Sequence, residues 1–314
     1  MKYLDFDISF LVMKKAPLNF LFKKVTFPIS GVKTWIFLPP LVAFFLAYFG
    51  SMAGVTGAFL LLPFQMSVLG YTTPGVSATN FFYNLFAIPG SLWRYTKQGR
   101  LNWPLSLCIS LGSASGIVLG YFLRIKFLTD PSKFKPFAGF VLLYLAFRLG
   151  KDLVYGKNKP TPSKKEVIVY LKLSLKEISF SFDQQVYSFS PSKVFGVSFL
   201  VGIAGGAYGI GGGAIMSPYC VSMLGLPVHT VAGASLLGTF ISSVIGVTIY
   251  TLGLGAKGIS TKPDYLLGVL FGLGGLAGGI LGARTQKFIP ERPIKLGLFL
   301  VVLLVSLRYL LSWF

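Results

Sequence analysis

The chain has 314 residues, of which 54% are hydrophobic and only 12% charged, against roughly 25% charged in an ordinary soluble domain. That balance, with a mean hydropathy of +0.71, excludes a soluble globular enzyme, a disordered chain and a disulfide scaffold, and leaves a polytopic helical membrane protein. Lys and Arg outnumber Asp and Glu by 29 to 9; in this class such an excess reports topology and contact with anionic membrane lipid, not nucleic acid.

Residues 1–34 read as a basic arm at the membrane surface, with an extramembrane β segment as the alternative. The apolar stretch Ile8–Met13 is too short for a signal-peptide core, and Lys14 and Lys15 interrupt it. Apolar runs follow at 35–69, 75–95, 103–125, 134–150, 194–224, 228–255, 263–286 and 293–314. Each shorter run is near the ~20 residues a helix needs to cross hydrocarbon. The two longest exceed one straight span and are interrupted by glycines, so each predicts a broken or re-entrant helix. Residues 157–165 form a Pro/Lys-rich linker, and 167–189 then alternate apolar and polar side chains around Asp183-Gln184-Gln185. That period of two predicts a small extramembrane β-hairpin. If all eight runs cross, Lys/Arg placement puts the N-terminus and residues 151–193 on the cytoplasmic side of the cell membrane. Arg124, Lys126 and Lys133 then fall in an outside loop.

The two broken runs align without a gap. Gly50, Gly54, Gly57, Pro63, Ser67, Leu69, Gly70 and Val76 match Gly205, Gly209, Gly212, Pro218, Ser222, Leu224, Gly225 and Val231. Two GxxxGxxxG series, Gly112, Gly116, Gly120 and Gly274, Gly278, Gly282, follow in corresponding places. The expected fold is all-α and polytopic: two pseudo-symmetric repeats of about four helices, at 35–155 and 193–314, each opening with a broken helix. The linker and hairpin (156–192) lie between them.

Glycines let a backbone leave a helix and expose its amides. Half-helices starting near Ala58 and Gly213 would aim N–H groups and positive dipole ends inward, which makes an anion site without a charged side chain. Close helix packing is the bland alternative, and the favoured one for the GxxxGxxxG series. Small polar residues open the next spans at Thr79, Asn80 and Ser235, with Asn84, Thr239, Ser242 and Ser243 on later turns. The candidate substrate-binding set is Thr56, Gly57, Ala58, Thr79, Asn80, Gly211, Gly212, Gly213 and Ser235. Gln65 and Cys220 are equivalent positions, read either as differentiating the two halves of one site or as a packed pair. All nine acidic residues lie outside the apolar runs or at their edges, which argues against a cation pump. No catalytic set, metal-ligand cluster or cofactor motif is present. A Na+ site of backbone carbonyls would leave no side-chain trace, so a coupling ion, Na+ or H+, stays open.

The doubled pattern carries a resemblance. Gly209–Pro218, Leu224-Gly225 and Ala232-Gly233-Ala234-Ser235, together with the loop Arg94–Trp103, resemble the TauE/SafE family, the sulfite or organosulfonate exporters, over about 35–155 and 193–314. The first copy departs from the pattern, with Thr56 and Ala58 where the second has Gly211 and Gly213. The resemblance implies secondary transport of small anions such as sulfite, sulfoacetate or related organosulfur and organic anions. The rival reading is a non-transporting membrane component that docks a cytoplasmic partner through the basic 157–190 insert. On the transport reading Gly212→Leu abolishes binding, whereas Gly116→Ala leaves it intact.

Overall fold

The computed structural model describes residues 23–52, 56–155, 167–285 and 291–312, and is 71% helical. An antiparallel ribbon, β1 (Lys24–Thr26) and β2 (Lys33–Trp35), precedes α1 (Leu38–Met52), α2 (Ala58–Ser67), α3 (Gly75–Ala87), α4 (Pro89–Lys97), α5 (Trp103–Lys126) and α6 (Pro131–Tyr155). An antiparallel sheet of β3 (Val169–Leu173), β4 (Ile178–Phe182) and β5 (Gln185–Phe189) follows. The chain continues through α7 (Pro191–Tyr208), α8 (Gly212–Ser222), α9 (Val228–Leu252), α10 (Tyr265–Thr285) and α11 (Glu291–Leu311). Among the described residues α5, α9, α10 and residues 292–311 of α11 are long and apolar enough to cross a membrane, whereas α1 and α2 are apolar but short.

The expected hairpin is present and larger than expected. Asp183 and Gln184, at φ 54° and 57°, close the β4–β5 turn in the left-handed region that two-residue hairpin loops require. The apolar alternation also runs through a second turn, where Ser174 N–H donates to the Glu177 carbonyl at 3.2 Å, and this adds β3. A second departure concerns the run 75–95, expected as one span. Pro89 lacks an amide proton and divides it into α3 and α4.

The glycine seams set how the helices run. On α5, Gly112 lies on the Phe195 carbonyl and Ser198, Gly116 on the Phe199 carbonyl and Gly202, and Gly120 on the Ile203 carbonyl and Gly206. On α10, Gly274 lies on Pro40, Gly278 on Phe44 and Gly282 on Tyr48. The seam of each half of the chain therefore runs parallel to the opening helix of the other half. A Cβ at Gly116 would overlap backbone, so alanine there should strain the seam, a cost to stability that the sequence expectation for Gly116→Ala did not include.

Both broken runs turn back. The start of α5 is tied to the sheet by Trp103 N–H donating to Tyr170 Oη at 3.0 Å, so α7 also starts at this sheet end. α8 returns there: Met216, Cys220 and Leu226 pack with Ile178, Phe180 and Phe189. The start of α10 is tied to the ribbon, where Ser30 N–H and Oγ–H both donate to Asp264, at 2.9 and 2.7 Å. α1 runs from this ribbon end, and the loop after α2 returns to it, since Thr72–Pro74 face Gly258–Ser260 across a shared cavity. α1–α2 and α7–α8 are thus re-entrant from opposite ends.

The shared side expected for the N-terminal arm and residues 151–193 assumed that all eight runs cross; with both broken runs re-entrant, three passes along the bundle instead of four separate residues 24–35 from 169–189. Residues 24–35 and 169–189 sit at opposite ends of α5, which is about 36 Å long at 1.5 Å per residue. Impermeant maleimide should therefore label Lys33→Cys and Gln185→Cys, each in a Cys108→Ala/Cys220→Ala background, from opposite sides of sealed vesicles. Labelling of both from one side would contradict this arrangement.

Candidate functional site

The two breaks touch inside the bundle. Tyr208, the last residue of α7, donates its Oη–H to the Phe59 carbonyl of α2 at 2.7 Å. Asn80 on α3 donates through Nδ2 to the Ala58 carbonyl at 2.9 Å and to the Gly209 carbonyl at 3.0 Å. One buried amide thus spans both breaks.

A helix end leaves its last carbonyls without intrahelical partners. At the end of α7 three side chains supply them. Tyr250 Oη–H donates to the Gly206 carbonyl at 3.0 Å, Ser77 Oγ–H to Ala207 at 2.9 Å, and Asn80 to Gly209. The backbone then turns through Gly209 at φ 95° and Gly211 at φ 78°. A Cβ at Gly209 would sit 2.5 Å from the Ser77 carbonyl oxygen, so glycine is needed here for both conformation and space.

The opposite end of this break is the N-terminus of α8, whose first amides likewise lack intrahelical acceptors. It is ringed by hydroxyls. The Ser113 side chain packs on Gly212, while the Thr239 hydroxyl and the Ser235 backbone carbonyl pack on Gly213. Ser242 Oγ–H donates to Ser113 Oγ at 3.0 Å and Thr239 Oγ1–H to the Ser235 carbonyl at 2.9 Å. Ser235 Oγ is buried and has no partner, and the same holds for Thr56 Oγ1 and Asn80 Oδ1. The first break packs on backbone instead: Gly57 closes onto Leu46 and Ala47 of α1.

The structure therefore groups Gly57, Ala58 and Asn80 at one break, and Gly211, Gly212, Gly213 and Ser235 at the other. Two sequence-predicted residues have different hydrogen-bond roles from those expected. Asn80 has both amide protons on backbone carbonyls, so it has no donor left for an anion. Thr79 donates to the Gly75 carbonyl at 2.9 Å and accepts from Asp264 N–H at 2.9 Å, which secures the start of α10. Asp264, read from the sequence as the edge of a span, is fully buried and caps α10 by accepting from Leu267 N–H at 3.1 Å. Asn84 Nδ2–H donates to Ser243 Oγ at 3.2 Å and joins α3 to α9. Gln65 is fully buried with neither end of its amide partnered. Sequence reasoning missed Ser77, Ser113, Tyr208 and Tyr250. Ser113 lay in view, as the small residue between Gly112 and Gly116; Tyr250 carried no spacing signal.

Two cavities open elsewhere. One of about 280 Å3 lies at the ribbon end among Thr72, Thr73, Thr129 and Ser260. The other, about 420 Å3, is an apolar groove between α6, α7 and α8 at Tyr144, Val201 and Tyr219. Neither is lined by a candidate residue. No cluster of three His, Cys, Asp or Glu side chains occurs among the described residues.

Asn80→Ala leaves the Gly209 carbonyl short of a donor and removes the second bond to the Ala58 carbonyl, and should cost about 1–3 kcal/mol. Asn80→Asp, which sets a carboxylate against those carbonyls, should cost more. Melting temperatures in detergent check the order; an Asn80→Asp variant as stable as wild type would show that the bridge does not hold the breaks.

Comparison with known proteins points to one family of membrane transporters. The family described as sulfite exporter TauE/SafE matches residues 40–309. "Probable membrane transporter protein YunE" of Bacillus subtilis (strain 168) is 23% identical over 267 residues, which is 82% of this chain and 90% of the relative. A "Probable membrane transporter protein" of Xylella fastidiosa (strain 9a5c) is 24% identical over 272 residues, 84% of this chain and 90% of that protein. No solved structure gives a significant match. With its family pattern extending from α1 through α11, the chain belongs to the sulfite exporter TauE/SafE family of membrane transporters.

Proposed function

We propose that this protein is a multi-pass secondary transporter of the cell membrane. It carries small oxyanions, sulfite and sulfonates such as sulfoacetate first among them, by alternating access. The observation that carries the reading is the start of α8, beside the hydroxyls of Ser113, Thr239 and Ser242, at a break that meets α2. Amides at a helix start favour negative charge through their unfilled donors and the helix dipole. Of the candidate residues, Ser235 and Thr56 have buried hydroxyls without a protein partner. The substrate would sit against Gly211, Gly212 and Gly213, with Gly57 and Ala58 closing the other side.

The pairing of helices supports a mechanism. Each glycine seam packs on the opening helix of the other half, so the two halves form inverted repeats around the breaks. Rocking of one half against the other would expose the breaks to each end in turn. The rival docking reading finds support in Val169, Leu171 and Leu173, a row of exposed aliphatics on the edge strand β3. Against it, Ile178, Phe180, Phe182 and Phe189 bury the other face of the sheet on α5 and α8, which makes the sheet part of the bundle instead of a detachable module.

Ser235→Ala separates binding from folding. Its hydroxyl has no protein partner, so stability should stay within about 0.5 kcal/mol of wild type. Loss of one hydrogen bond to a charged ligand, about 1.5–3 kcal/mol, should weaken sulfoacetate binding by at least about ten-fold. Thermal stabilisation by ligand and flux in proteoliposomes read both. Unchanged affinity in Ser235→Ala would move the substrate away from α8, and no stabilisation of wild type by any oxyanion would refute anion transport.

A further inference from the structure

The sequence places Arg124 in an outside loop; the structure buries it completely. It continues the α5 stripe Gly112, Gly116, Gly120 at a spacing of four, so it lies on the face that packs against α7. Gly120 already rests on Ile203, Gly206 and Ala207, so Arg124 stands one turn further, toward the ribbon end. Tyr250, which holds the Gly206 carbonyl, lies within electrostatic reach of the guanidinium.

The side chain is held on two sides. Its Nη1 donates to the Leu128 carbonyl, and the Phe134 ring covers it at 3.7 Å from the centroid. Nε and Nη2 are buried and have no partner. These two nitrogens form one edge of the guanidinium, the fork that takes two oxygens of a carboxylate, phosphate or sulfonate side by side. No carboxylate balances the charge among the described residues. Asp130, six positions on, is exposed, and Ser132 N–H donates to it at 2.9 Å, which holds its carboxyl below the ordinary range. A buried cation left unpaired is costly, which favours an anionic occupant. The loop after Arg124 supplies Thr129 and Pro131 to the ribbon-end cavity of about 280 Å3, whose other walls carry the hydroxyls of Thr72, Thr73 and Ser260.

We propose that Arg124 is an anion ligand at the ribbon end of the bundle, its free Nε/Nη2 fork binding a two-oxygen face of the transported anion. The inference rests on the anion-transport reading. A lipid phosphate offers the same chemistry, but the burial of Arg124 beneath its own loop favours a free solute.

The test uses Arg124→Lys and Arg124→Met, purified in maltoside detergent, which contains no phosphate. Sulfoacetate and sulfite affinities are read by thermal stabilisation, beside the melting temperature without ligand. Lysine keeps the charge but loses the fork, so both variants should bind at least about ten-fold more weakly. Sulfoacetate should also protect the amides of residues 124–134 from hydrogen exchange in the wild-type protein, read by peptide mass spectrometry; this arm does not depend on the variants folding. Wild-type affinity in folded variants, or no protection, would make Arg124 a structural brace and leave the transporter reading standing. Absence of oxyanion binding in wild type would overturn both. Stabilisation by added phosphatidylglycerol alone would assign the fork to a lipid.

Discussion

The fold depends on satisfying a helix end in the interior of a membrane bundle. Where a backbone leaves its helix away from water, every freed carbonyl needs a donor from the protein itself. Here Tyr250, Ser77 and Asn80 supply donors to Gly206, Ala207 and Gly209 in turn. All three come from α3 and α9, the helices beside the break, so the break relies on both being in place. The same contact fixes the relation of the halves, because Asn80 and Tyr208 also hold the start of α2.

That constraint divides the chain's polar residues into two kinds. One kind holds the frame, and their hydrogen bonds are complete within it: Ser77, Thr79, Tyr208 and Tyr250. The other kind is buried with an unmet group, as at Ser235, Thr56 and Arg124. In a low-dielectric interior an unmet donor is costly, and donors kept so at a helix N-terminus and on a guanidinium fork suit an oxyanion. No mid-bundle carboxylate is needed for such a site. The halves are unequal: the α8 start is ringed with hydroxyls, whereas Gly57 is sealed against α1.

The breaks were legible in the sequence because glycine clusters in over-long apolar runs have few other uses, and the duplicated Pro63/Pro218 spacing marked them as equivalents. The β-hairpin was legible from its period of two, although that same regularity hid the turn at Ser174–Glu177. Topology was not legible. A re-entrant pair and a kinked span have the same composition, and only the packing of Gly274 on Pro40 and of Gly112 on Phe195 tells which way each helix runs. Hydrogen-bond roles were also out of reach. Asn80 and Ser235 look alike as small polar openings of a span, yet Asn80 is occupied by backbone and Ser235 is free. Arg124 was read as a loop cation because it stands near the end of its run, and only the fold of residues 127–134 over it reveals its burial.

The central claim is that the substrate anion sits between the two breaks against the start of α8. It is tested most directly by the reactivity of Ser235→Cys in a Cys108→Ala/Cys220→Ala background, with a small maleimide applied to proteoliposomes. The account predicts that saturating sulfoacetate slows modification of this thiol, while an exposed control thiol at Gln185→Cys reacts at an unchanged rate. Modification of Ser235→Cys at the same rate with and without sulfoacetate, under conditions where sulfoacetate demonstrably stabilises the protein, would place the anion elsewhere and contradict the account.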